Sequence, residues 1–167
     1  MIKASRIGFA VVAMLALVAA PAFAKTVFNT HLTGKDQVPS RETKASGQAQ
    51  LALSNDKTTL DFRVNVANID NVVAVRLGNA TTGATGPDVA VLFGPVAAGG
   101  GKSNGVLAKG TLTTANFIGP MAGKTMAEFV AELEAGRIYI TVVTDDGVGA
   151  PDEKPGDFVS GEIRGQF

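Results

Sequence analysis

Hydrophobic and polar residues alternate with a period of two along much of the chain. Because successive side chains of a β-strand point to opposite faces, this alternation predicts strands with one buried face and one solvent face. Asn55-Asp56-Lys57, between the first two clear segments, is typical of a turn and predicts a hairpin. The hairpin positions predicted to be buried are Ala49, Leu51, Leu53, Leu60, Phe62, Val64 and Val66, and the opposite face carries Gln48, Gln50, Ala52, Thr59, Asp61, Arg63 and Asn65.

Six further segments have the length and composition of strands, and clusters of Gly, Pro, Asn and Asp separate them. Seven or eight short strands in all, with no helical periodicity between them, indicate an all-β fold. We therefore predict an antiparallel sandwich or barrel. The six segments are residues 26–32, 72–77, 88–93, 105–113, 137–144 and 158–167.

One segment has helical spacing instead. Its hydrophobic residues fall at positions i, i+3, i+4 and i+7, which places them in one stripe on a helix. Thr125 followed three residues later by Glu128 fits a capping box, and Gly136 fits a C-terminal stop. We predict a single short helix that packs on the core through Met126, Phe129, Val130 and Leu133.

The first 24 residues have the three parts of a secretory signal peptide. Lys3 and Arg6 form a basic start, residues 7–20 carry no charge, and the segment ends in the Ala-x-Ala pattern of Ala22-Phe23-Ala24. We predict cleavage after Ala24, a single domain over residues 25–167, and a periplasmic or secreted protein. No later segment is long and apolar enough to span a membrane, so none is expected after cleavage.

Composition excludes several kinds of chemistry. The chain has no cysteine and one histidine, His31, so it has no disulfide or thiolate metal site and no site that needs two imidazoles. It has 15 basic and 15 acidic residues, and cleavage after Ala24 removes two basic ones, which leaves a charge of −2. That balance argues against a nucleic-acid partner. We predict no cofactor and no catalytic residue.

The segment from Asp145 to Asp157 concentrates acidic residues among glycines and prolines. Calcium takes several oxygen ligands, so such a loop could supply a cation site. The spacing matches no EF-hand, and Lys154 lies among the acids, which favours a solvated loop without a metal. The candidate ligands are Asp145, Asp146, Asp152, Glu153 and Asp157.

Three other polar residues are candidates for a functional role. His31 lies on the polar face of the first predicted strand, where no nucleophile is near it in sequence, so we expect a solvent-facing side chain. Glu162 and Arg164 are two apart on the last predicted strand and so share a face. They indicate either a charged recognition surface or cross-strand pairing on a solvated sheet, and spacing alone favours the latter.

The order of several short motifs resembles that of the CHRD domain family, which is named after chordin and also occurs in exported bacterial proteins. The resemblance covers nearly all of residues 25–167. Gly161-Glu162-Ile163-Arg164-Gly165-Gln166 is its most specific motif. The others are the segment from Phe28 to Gly34, Gln37-Val38-Pro39, Thr43-Lys44-Ala45-Ser46-Gly47, Gly86-Pro87-Asp88-Val89-Ala90-Val91-Leu92-Phe93, Leu133 to Gly136, and Tyr139-Ile140-Thr141-Val142-Val143-Thr144.

This resemblance implies an all-β, antiparallel immunoglobulin-like β-sandwich with Greek-key connections, outside the cytoplasm, and no settled activity. Many bacterial members carry three histidines that could hold copper or zinc, somewhat as superoxide dismutases of similar fold do. Here the matching positions are Ala74, Arg76 and Val143, so we expect that this chain has lost such a site. The loop from Asp145 to Asp157 is also longer than is usual in the family.

We therefore expect a non-enzymatic, exported binding or structural module whose ligand is an unknown protein or cell-envelope component. We expect two parts of the chain to recognise that ligand. One is the acidic loop, and the other is a family-motif surface that consists of Arg76, Glu162 and Arg164. The alternatives are a degenerate copper or zinc protein, a protein that binds a cation through the acidic loop, and, by analogy with chordin, a regulator of a secreted protein.

Overall fold

The computed structural model describes residues 25–150 and 153–167. The predicted signal peptide and Asp152 lie outside these residues. The described chain contains eight strands, two short 3-10 helices and one α-helix, and none of these helices has the length and apolar character needed to cross a bilayer. In chain order the elements are β1 (Val27–Thr33), β2 (Ser46–Leu53), β3 (Leu60–Asp70), β4 (Val72–Asn79), β5 (Asp88–Phe93), β6 (Lys102–Leu112), 3-10 turns at Thr114–Asn116 and Gly119–Met121, α1 (Met126–Glu134), β7 (Ile138–Thr144) and β8 (Ile163–Gln166).

All eight strands belong to one antiparallel sheet in the order β5-β4-β7-β8-β1-β2-β3-β6. Neighbouring strands pair over several residues, except that β1 and β8 pair only at Thr33 and Arg164. The sheet therefore consists of a first half-sheet, β5-β4-β7-β8, and a second half-sheet, β1-β2-β3-β6, joined at that point. Its end strands β5 and β6 approach each other, which gives a nearly barrel-shaped, all-β fold with one helix.

The predicted alternation is confirmed in most of the hairpin, but Ala52, predicted on the solvent face, is buried. Leu51 and Val64 are buried in the core, while Gln48, Gln50 and Arg63 are exposed on the opposite face. The core fills the inside of the curved sheet and is built from β-branched and aliphatic side chains of all eight strands together with α1. β7 differs, because all seven of its residues are buried. Loops cover the outer face of the first half-sheet, so both faces of β7 are removed from water.

Two predicted strands have different bounds. The final strand contains only Ile163–Gln166, because Gly161 at φ +120° interrupts the extended backbone just before it. Strand β6 begins earlier than predicted, at Lys102, and Gly105 at φ +90° lies where its pairing with β3 shifts register. Glycine adopts such angles readily and commonly accompanies a β-bulge, which lets pairing continue beyond the irregularity.

Helix α1 is confirmed with its predicted cap. The Thr125 hydroxyl accepts from the Glu128 backbone N–H at 3.2 Å, and a Glu128 carboxylate oxygen accepts from the Thr125 backbone N–H at 2.8 Å. Phe129 is fully buried and stacks on Phe117 with ring centroids 4.9 Å apart. The helix therefore closes one end of the core.

Glu132 fastens this helix to the first half-sheet. Its carboxylate accepts from Arg137 Nε at 2.6 Å and Nη2 at 2.8 Å, just before β7, and from Asn79 Nδ2 at 3.0 Å at the end of β4. The Arg137 hydrogen bonds, and next the Asn79 hydrogen bond, lower the pKa of Glu132 from 4.5 to about 2. The folded protein thus favours the charged carboxylate.

This pKa predicts a pH dependence of stability. Because the pKa of Glu132 is lowered on folding, its contribution is fully present above pH 4.5 and is lost as pH falls towards 2. We expect the melting temperature of Glu132→Gln to fall less steeply over this interval than that of the wild type, as measured by circular dichroism. The control Glu134→Gln, an exposed position two residues later, should keep the wild-type slope. Equal slopes for all three proteins would contradict the assignment.

Candidate functional site

The two charged residues of the last strand segment are buried. Glu162 is 1% exposed and Arg164 is 2% exposed, so the prediction that they form a solvent-facing surface is wrong. The reason is tertiary, since three loops fold over the outer face of the first half-sheet. Gln37 from the first loop donates to Thr141 Oγ1 at 2.7 Å, Ala84 lies in the second, and Gly156 in the third.

Arg164 holds the second of these loops against the sheet. Its guanidinium stacks on the Tyr139 ring, 3.7 Å from the centroid. Nη1 donates to the Ala84 carbonyl at 2.8 Å, and Nη2 donates to Gln166 Oε1 at 3.0 Å. Two of its five N–H groups are thereby used. The Tyr139 hydroxyl also donates to the Gly86 carbonyl at 2.9 Å, so ring and guanidinium bind the same loop.

Arg164 is a buried cation, and Asp36 is the acidic residue that acts on its charge. Among the described residues, no carboxylate lies within 4 Å of its guanidinium. Burial lowers the pKa of Arg164, while Tyr139 and Asp36 act in the opposite direction. A guanidinium stays protonated in proteins. Buried charges are ordinarily paired, so Arg164 is a residue that an anion would stabilise.

Glu162 is bound on both carboxylate oxygens. Oε1 accepts from the Thr43 hydroxyl at 2.5 Å, and Oε2 accepts from the Thr144 hydroxyl at 2.9 Å and the Gly156 backbone N–H at 2.8 Å. Thr144 Oγ1 in turn accepts from the Phe158 backbone N–H at 2.9 Å. These bonds join the β1–β2 loop, the end of β7 and the long loop before β8. Glu162 is therefore a structural anchor of three segments.

The three positions that match the family's histidines do lie together. Ala74 pairs with Val143 in register, and Arg76 lies on the same face two residues further along β4. Ala74 and Val143 are buried, whereas Arg76 is partly exposed and forms an ion pair with Asp88 at 3.4 Å. A methyl group, an isopropyl group and a guanidinium offer no metal ligand. This donor set does not fit copper or zinc.

The acidic loop brings together three of its five candidate ligands. Carboxylate oxygens of Asp145, Asp146 and Asp157 all lie within 4.8 Å of one another, and Asp157 is buried. Lys154 Nζ lies 2.8 Å from Asp146 Oδ2 and 3.9 Å from Asp157 Oδ2, so an internal cation already neutralises part of this charge. Glu153 is exposed and outside the cluster, and Asp152 lies outside the described residues.

A groove on the outer face of the sheet was not identified from the sequence. It consists of three adjoining depressions of about 360, 300 and 420 Å³, all of which include His31 in their walls. His31 is exposed, as predicted. The third depression reaches Arg164, with Lys35 and Asp36 at its rim. Alternation placed Gln48, Gln50 and Arg63 on the polar face, but only the pairing of strands shows that they flank His31.

Comparison with known proteins identifies a family. A family model described as the CHRD domain matches residues 28–150. The match begins in β1 and ends within the acidic loop, so it covers most of the described chain and excludes the last strand. The search of curated proteins finds no match, and neither does the search of solved structures.

The Glu162 anchor generates a stability prediction. Glu162→Gln replaces one acceptor oxygen by an N–H₂ group that faces other donors, so we expect the free energy of unfolding to fall by roughly 2–3 kcal/mol. Urea denaturation would measure this, and hydrogen exchange should show faster exchange at the Gly156 amide. The matched control Glu153→Gln changes an exposed acid of the same loop and should stay within about 0.5 kcal/mol of the wild type. An equally small change for both variants would exclude the anchoring role.

Proposed function

Because the chain belongs to the CHRD domain family, we propose that it is a non-enzymatic binding or structural module that acts in the periplasm or outside the cell. The observation that carries this proposal is the groove across the outer face of the sheet, centred on His31 and ending at the buried cation Arg164. Ligand sites are commonly concave and contain a few fixed polar groups, and this groove has both properties.

The chemistry of the described residues supports a binding role over catalysis. The chain has one histidine and no cysteine, which restricts the general bases and nucleophiles available to it. Glu162 and Arg164, the two buried charged residues of the last motif, are held in contacts that fix loops. A degenerate copper or zinc protein finds no support in the residues at Ala74, Arg76 and Val143.

The site of action is proposed from the sequence. The predicted signal peptide, residues 1–24 with cleavage after Ala24, supports export. The same proposal includes the immunoglobulin-like, Greek-key sandwich as the finer description of the fold, for which the two four-stranded half-sheets are the supporting feature. The ligand would then be a protein or an envelope component met outside the cytoplasm.

A second candidate function is cation binding by the acidic loop. The observation in its favour is the convergence of carboxylate oxygens from Asp145, Asp146 and Asp157, since hard cations such as calcium prefer several oxygen ligands. Lys154 would have to leave Asp146 for a cation to enter. We therefore place this function behind groove binding.

If the groove binds an envelope component, substitutions in the groove should reduce the amount of protein that the envelope retains. We expect the wild-type protein to co-sediment with the insoluble envelope fraction of its native cells, and the double variant Gln48→Ala/Arg63→Gln to be retained about tenfold less. Both side chains are exposed, so the melting temperature should not change. Lys124→Gln, which removes one positive charge near α1, is the matched control and should be retained like the wild type. Equal retention of the double variant would show that the groove is not the binding surface.

If the acidic loop binds a cation, added calcium should stabilise the folded protein. At a calcium concentration ten times the Kd, the free energy of unfolding should rise by about 1.4 kcal/mol. Lys154→Gln should bind calcium more tightly than the wild type, since it removes the competing ammonium, and Asp157→Asn should bind it less tightly. Differential scanning fluorimetry with and without calcium measures all three. An unchanged midpoint at millimolar calcium in both wild type and Lys154→Gln would exclude this candidate.

A further inference from the structure

The outer face of β1, β2 and β3 carries its polar side chains in two cross-strand rows. Register aligns Asn29, Gln50 and Arg63 in one row, and His31, Gln48 and Asn65 in the next. With strands about 4.8 Å apart, each row extends about 10 Å across the sheet. The two rows line the first depression of the groove.

This face is rich in amides, which suit a ligand rich in hydroxyl groups. An amide offers a donor and an acceptor side by side, so it can both give and receive a hydrogen bond with neighbouring hydroxyls. Two contacts within the face orient these groups. Gln50 Nε2 donates to Asn29 Oδ1 at 3.0 Å, and Arg63 Nε donates to Asn65 Oδ1 at 3.3 Å.

Positive charge exceeds negative charge along the groove. Lys109 lies beside Arg63 on the next strand, and Lys35 and Arg164 lie at the other end, where Asp36 is the acid among the lining residues. The Asp36 carboxylate accepts from the Thr33 hydroxyl at 2.7 Å. Asp61, at the margin of the face, forms an ion pair with Lys25 at 3.0 Å. The groove is therefore complementary to a ligand with spaced negative charges.

The groove is also elongated. Because all three depressions share His31, and the first and second share Gln48 and Asn65, one ligand can follow them from Arg63 to Arg164. Strands β2 and β3 pair with neighbours along both edges, whereas β1 pairs with β8 only at Thr33 and Arg164. A peptide could not add to the sheet as an extra strand beside β2 or β3, so recognition there rests on side chains.

We propose that this groove binds an acidic polysaccharide, a glycan whose sugars bear carboxylate groups. The amide rows contact its hydroxyls, and the positive charge of Arg164, in the wall of the third depression, attracts a carboxylate. A heavily sulfated glycan fits less well, because the groove has a few spaced cations and the predicted mature chain has a net charge of −2. This inference rests on the proposed function and names its ligand class.

The experiment is isothermal titration of the purified protein with polygalacturonate at low salt, with neutral dextran, dextran sulfate and polyglutamate as comparison ligands. We expect polygalacturonate to bind more tightly than the other three, and added salt to weaken it. Lys35→Gln, Arg63→Gln and Gln48→Ala, all at exposed positions, should each raise the Kd about two- to fivefold. Lys124→Gln is the charge-matched control and should leave the Kd unchanged.

Other outcomes overturn the ligand class and leave the binding role separately testable. Equal affinity for dextran and polygalacturonate would show that the carboxylates play no role. Tighter binding of dextran sulfate would identify a sulfated glycan as the ligand, and tighter binding of polyglutamate would identify an acidic peptide. An equal loss for Lys124→Gln would indicate non-specific charge attraction. If polygalacturonate fails while envelope retention still depends on Gln48 and Arg63, the ligand class is wrong and the binding module stands. If retention is also independent of the groove, both proposals fail.

Discussion

The single pairing of Thr33 with Arg164 is the junction on which the rest of the structure depends. Elsewhere the described strands pair only within their own half-sheet. The same pairing places the Arg164 guanidinium on the outer face, where the two half-sheets meet. Loops cover that guanidinium because it binds the Ala84 carbonyl and the Tyr139 ring. Gln166, its neighbour on β8, accepts from it and donates to the carbonyls of two segments, those of Ala80 after β4 and of Gly136 and Ile138 at the start of β7.

The junction divides the outer face into two regions with different roles. Over the first half-sheet, Gln37, Thr141 and Glu162 form a buried polar layer, and each of these side chains has a hydrogen-bond partner within the protein. Over the second half-sheet the side chains of the amide rows are exposed or half-buried, so they face solvent. Arg164 belongs to both regions, since it anchors one and ends the groove of the other. The covered region and the groove thus share one residue.

This division separates the groove from the three positions where the family resemblance leads us to expect metal ligands. Ala74 and Val143, two of these positions, are buried small apolar groups beneath the loops. Arg76 beside them is neutralised by Asp88. The groove lies on the other side of the Thr33–Arg164 junction, and its lining residues include none of Ala74, Arg76 and Val143.

The sequence alone determined the all-β class, the hairpin, the capped helix α1 and the family, because these depend on local periodicity, on short-range capping and on motif order. It also placed His31 and Gln48 on a polar face. It could not show that Glu162 and Arg164 are buried, since alternation describes the two faces of a strand and not which loops return to cover one of them. It could not align His31 with Gln48 and Asn65, because cross-strand register arises from pairing between segments distant in the chain. Only the tertiary structure decided which polar residues became anchors and which formed the groove.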